Sequence, residues 1–192
     1  MSLGDEVPER QWTAELRAMA HPVRLRILSL LTGGALTAAE VARELNLTHA
    51  NASYHLRQLL AAHTIELAGE ERIRGGRARR YRYNLERDLR AHSQPPTGAE
   101  HLHQRAQLYE AVAAELRRRV RRVRPTKGRL HLTDAEIWVD PEVWGDVVIR
   151  MNDASEILHR AARPARTEGT ILVSATMALF EMEPSTVDGA DR

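Results

Sequence analysis

A chain of 192 residues holds one large domain or two small ones, and 43% hydrophobic with 28% charged residues describes a folded protein with a core, not a disordered chain. No apolar run approaches the ~20 residues that cross a bilayer, and no secretory signal pattern opens the chain, so a cytoplasmic protein with no membrane partner is expected. The absence of cysteine excludes disulfides and thiolate metal sites. The net charge of +2 hides an asymmetry: residues 1–129 carry 23 basic and 14 acidic groups, residues 130–192 carry 5 and 12. All but one of the 28 basic residues are arginine, whose planar fork suits phosphate.

In residues 11–20, Trp12, Leu16, Met19 and Ala20 recur at helical spacing. Pro22 suits the first turn of a second helix that carries Val23, Ile27, Leu30 and Leu31 and stops at Gly33 and Gly34. Thr37 and Glu40 have the spacing of a capping box for a third helix reaching about Leu45. Asn46 tolerates the left-handed conformation of a tight turn, and Thr48 caps a fourth helix. There Ala52, Leu56, Leu59 and Leu60 share one face, while His49, Asn51, Ser53, Tyr54 and Arg57 fall mostly away from it. Ile65 with Leu67, and Tyr81 with Tyr83 and Leu85, then alternate around Gly75 and Gly76, which predicts a β-hairpin. Six arginines and no carboxylate lie in residues 72–82.

Ser93, Pro95, Pro96 and Gly98 mark a linker at 91–98, separating a first domain at 1–90 from a second region at 99–192. A long helix follows, with Leu102, Tyr109 and Leu116 seven apart and Ala106, Ala113 and Val120 in the alternate seam position. This seam is the expected homodimer contact. Residues 130–139 read as a strand, Asp140 and Pro141 start a helix carrying Trp144, Val147, Val148, Met151 and Leu158, and residues 170–182 read as a strand covered on both sides. The expected fold class is α+β, mainly α.

A tight helix-turn-helix with a free polar face, followed by an arginine-rich hairpin, is the layout of a winged helix-turn-helix. A helix fits the major groove, where His49, Asn51 and Arg57 meet base edges, and hairpin arginines neutralise phosphate or enter the minor groove. The residues Leu16, Met19, His21, Pro22, Arg24, Ile27, Leu28 and Leu31, then Leu45, Leu47 and Thr48, then Ser53, His55, Leu56 and Leu59 resemble the ArsR-type winged-helix regulators of bacteria over about residues 12–85. The resemblance implies a homodimeric transcription regulator of double-stranded DNA, commonly a repressor. It places the recognition helix at residues 48–57, with Thr48, His49, Asn51, Ser53, Tyr54 and Arg57, and the wing at residues 74–82, with Arg74, Arg77 and Arg79. Without cysteine, any small-molecule effector would act without thiolate ligands. The minimal family pattern does not include residues 129–182.

His101 and His103 sit two apart, a spacing that points helix side chains to different sides, so no metal site is expected. His21 and His55 read as packing or phosphate-contacting residues, and His131 and His159 as surface residues. The arginines of 117–129 read as favourable charge at a helix C-terminus, and Trp138 and Trp144 as core in preference to the lining of an effector pocket. No cofactor-binding or catalytic motif is present, so an enzyme is not expected. Two other classes remain open: a protein-interaction module that keeps the fold without binding DNA, and an enzyme whose catalytic region is residues 129–182.

Overall fold

The computed structural model describes residues 9–73, 76–88, 99–125 and 130–183. Helix α1 (Glu9–Met19) leads into α2 (Pro22–Gly33), which His21 caps by accepting the Val23 amide on Nδ1 at 3.1 Å. Strand β1 (Leu36–Thr37) precedes α3 (Ala38–Leu45). The capping box forms both ways: the Glu40 amide donates to the Thr37 hydroxyl at 3.3 Å, and the Thr37 amide donates to Glu40 Oε2 at 2.7 Å. Asn46 ends α3 in the left-handed conformation (φ 54°, ψ 50°), as the turn requires, and α4 (His49–Ala61) follows, its Asn51 amide donating to the Thr48 hydroxyl.

The hairpin consists of β2 (Ile65–Ile73) and β3 (Gly76–Tyr83), antiparallel, with a bulge between Leu67 and Gly69 where Gly69 takes φ 130°. β1 pairs with the other edge of β3, giving the order β1-β3-β2. At two residues, β1 is too short for any alternation to announce it. The core lies where α2, α3 and α4 meet this sheet, around the fully buried Ile27, Leu31, Val41, Leu56, Leu59 and Ile65.

Helix α5 (Ala99–Val120) packs on α1 and α2, and α6 (Pro141–Ala161) buries no residue. Two expectations are corrected here. Residues 130–139 and 170–182 form no strand in the single chain, because a strand exists only with a hydrogen-bonded neighbour, and these stretches have none. Trp138 is not core: it is 88% exposed, while Trp144 is half-buried. The expected linker 91–98 and Arg74 lie outside the described residues.

Candidate nucleic-acid interface

Burial divides α4 into two faces. Ala52, His55, Leu56 and Leu59 are buried, whereas His49, Asn51, Tyr54, Arg57 and Gln58 are exposed and Ser53 is half-buried. The apolar positions recur at intervals of three and four, so packing them against α2 and α3 leaves the polar set outward. Sequence reasoning did not single out Gln58, although its position four beyond Tyr54 places it on the same face. Thr48 is exposed, and its hydroxyl oxygen accepts from the Asn51 amide, which leaves the hydroxyl proton and one lone pair for a ligand.

Behind this face, His21 and His55 lie against each other with ring centroids 4.9 Å apart and planes inclined at 46°, and Tyr54 meets His55 edge-on at 5.3 Å. His55 Nδ1 is buried without a hydrogen-bond partner. Burial pushes both imidazoles below their ordinary value; His21 and Arg24 push His55 down further, and Arg24 adds to the shift at His21. The pair is a packed contact between the start of α2 and the middle of α4.

The hairpin is more mixed in charge than its arginine run suggests. Across the hairpin β2 carboxylates meet β3 arginines: Arg82 lies 2.5 Å from Glu66, its register partner, while the diagonal pairs are Arg77, 2.9 Å from Glu70, whose register partner is Arg79, and Arg80 with Glu71. Arg80 also donates to the Ala35 carbonyl and approaches Glu40 at 3.5 Å, which ties the sheet to the start of α3. Arg79 is exposed with no carboxylate partner among the described residues, and Arg77, although paired, is 78% exposed. Arg77 and Arg79 are thus available to an anion, and Arg80 is structural. The partners were missed because Glu66, Glu70 and Glu71 precede the run in sequence and meet it only across the turn.

The candidate dimer seam lies on α5, apart from the exposed face of α4. α5 turns a polar side to α1, burying Gln104, Ala111 and Glu115, with Glu115 accepting from Arg118 at 2.8 and 2.7 Å. Leu102, Ala106, Ala113, Leu116 and Val120 are exposed, so most of the heptad stripe faces away from its own subunit, while Tyr109 is half-buried against Phe180. Beyond α6, residues 163–166 dock on the end of α2 and on α3. A Cβ on Gly33 would overlap the Arg163 carbonyl, Pro164 covers Gly34, and Arg166 donates to Glu44 at 2.8 Å. His159, expected as a plain surface residue, stacks on Tyr83 of β3 with centroids 5.7 Å apart.

Among the described residues no three His, Asp or Glu side chains converge as metal ligands, and no helix is long and apolar enough to cross a membrane. Comparison with family models matches a helix-turn-helix domain over residues 19–65. That span runs from the end of α1 to the start of β2, and contains α2, α3, the Asn46 turn and α4. A helix-turn-helix domain points to a DNA-binding regulator. A search of curated proteins finds none that matches this chain.

Proposed function

We propose that this protein is a winged helix-turn-helix transcription regulator of the ArsR type, which binds operator DNA as a homodimer and represses. The observation that carries the reading is the two-faced α4: a helix held by four buried side chains, entered through a left-handed Asn46 turn, that presents His49, Asn51, Tyr54, Arg57 and Gln58 outward. In this reading α4 lies in the major groove, with Asn51 and Arg57 on base edges. The β2-β3 hairpin is the wing, with Arg77 and Arg79 on phosphate. The open α5 stripe joins two copies so that their recognition helices reach half-sites about 34 Å apart. An effector that controls binding would act through residues 130–183, whose docked loop touches α2 and α3.

The test is selection of bound duplexes from a random pool, followed by anisotropy titrations with Asn51→Ala and Arg57→Ala. Each variant should lose about 1–3 kcal/mol on the selected site and little on random duplex. Equal losses on both would mean that α4 touches only backbone.

A further inference from the structure

The second half of the chain holds apolar surface that its own subunit leaves uncovered. Among the described residues, 21 of the 24 exposed large hydrophobic side chains follow residue 98. Leu130, Leu132, Ile137 and Trp138 in the first extended segment, and Ile171, Leu172, Val173 and Phe180 in the second, are all at least half exposed, with Leu132 at 90%. At roughly 70 Å² each, these 21 side chains display on the order of 1,500 Å² of apolar surface per chain, against about 800 Å² per partner in a standard interface.

The missing cover must supply backbone hydrogen bonds as well as apolar contact. Residues 130–139 and 171–182 pair neither with each other nor with the β1-β3-β2 sheet, yet both carry β-branched and aromatic residues, and the second is mostly apolar on each face. Another strand satisfies both needs at once. The second segment also adjoins the α5 stripe: Phe180 meets Tyr109 with centroids 5.3 Å apart. A copy seated across that stripe therefore brings its own segment to the same place. The charge of residues 130–192, 12 acidic against 5 basic, turns away nucleic acid and anionic lipid as alternative covers.

We infer that residues 130–139 and 170–182 are strands of an intersubunit sheet, completed by the same segments of a second copy of this chain, with α6 packed over it. The inference rests on the homodimer proposed above. It places the main dimer contact in these segments and makes the α5 stripe its flank. Two copies contribute four strands, enough for an independently stable sheet where one chain's two are not.

Full-length protein should sediment as a dimer, with the backbone amides of 130–139 and 171–182 slow to exchange with solvent. In dimers refolded from isotope-labelled and unlabelled chains, filtered nuclear Overhauser spectra should show contacts between these segments of different chains. Val173→Pro removes a ladder donor and should raise the dimer dissociation constant by about 100-fold. Leu172→Asp, which leaves the backbone donor in place, should weaken the dimer as well. Far-ultraviolet dichroism and operator anisotropy on the same samples report whether the helix-turn-helix still folds and binds. A monomer, fast exchange in a dimer, or contacts confined to single chains would each overturn the intersubunit sheet. Failure of wild-type protein to bind any selected duplex, with a normal dimer and exchange pattern, would instead defeat the regulator reading alone.

Discussion

The sharpest quantitative consequence concerns two neighbouring arginines of β3. Arg79 is exposed without a carboxylate partner among the described residues, so in a complex it can displace one counterion from the phosphate backbone. Removing one such contact lowers the slope of log affinity against log salt by about 0.9, so that between about 50 and 200 mM salt Arg79→Ala should lose about 3.5-fold less affinity than the parent. Arg80→Ala should leave the slope unchanged while lowering the melting temperature, because Arg80 is spent on Glu71, Glu40 and the Ala35 carbonyl. Arg77→Ala should fall between these limits, since its exposed pair with Glu70 is worth about 0–1 kcal/mol and phosphate competes with it. By the same logic Glu70→Gln frees Arg77 and should steepen the slope. Anisotropy titrations over a salt series with a fixed duplex measure all four variants. Equal slopes for Arg79→Ala and Arg80→Ala would refute the claim that this hairpin neutralises phosphate.

Leu116→Glu puts a charge on the exposed α5 stripe and should weaken the dimer while leaving the helix-turn-helix folded; sedimentation showing an unaltered dimer would remove the stripe from the interface. The His21–His55 pair predicts a pH dependence of stability. Both imidazoles sit below the ordinary value of 6.5, so as pH falls past that value the unfolded chain takes up protons that the folded chain refuses, and stability drops with each step down. Urea melts from about pH 7.5 to 5.5 should show the fall, by at most about 1.4 kcal/mol per pH unit for each histidine, and His55→Leu should flatten it; a parent curve level over this range would contradict the lowered proton affinity of the pair. Gly33→Ala should cost about 1–3 kcal/mol by forcing the Arg163 carbonyl away, more than the gain of up to about 1 kcal/mol from helix propensity. Gly34→Ala, facing only the Pro164 ring at 3.3 Å, should be milder in thermal melts; a Gly33→Ala protein as stable as the parent would mean that residues 163–166 do not dock there.

The helix-turn-helix was legible in the sequence because each of its devices is local. Thr37 with Glu40, the left-handed Asn46, and Thr48 before α4 act over at most four residues, and the intervals between Ala52, Leu56 and Leu59 name the buried face without knowledge of what it packs against. What depended on residues distant in sequence was not legible. The pairing of Arg77, Arg80 and Arg82 with β2 carboxylates follows from a hairpin register, and a shift of one residue would have exposed a different set. The two sides of α5 are both readable as patterns, but only packing shows that Gln104 and Glu115 go inward while the heptad stripe stays open. The same holds for residues 130–139 and 170–182: alternation states that they can be strands, and a strand is completed by a neighbour's hydrogen bonds, which no periodicity within the segment encodes.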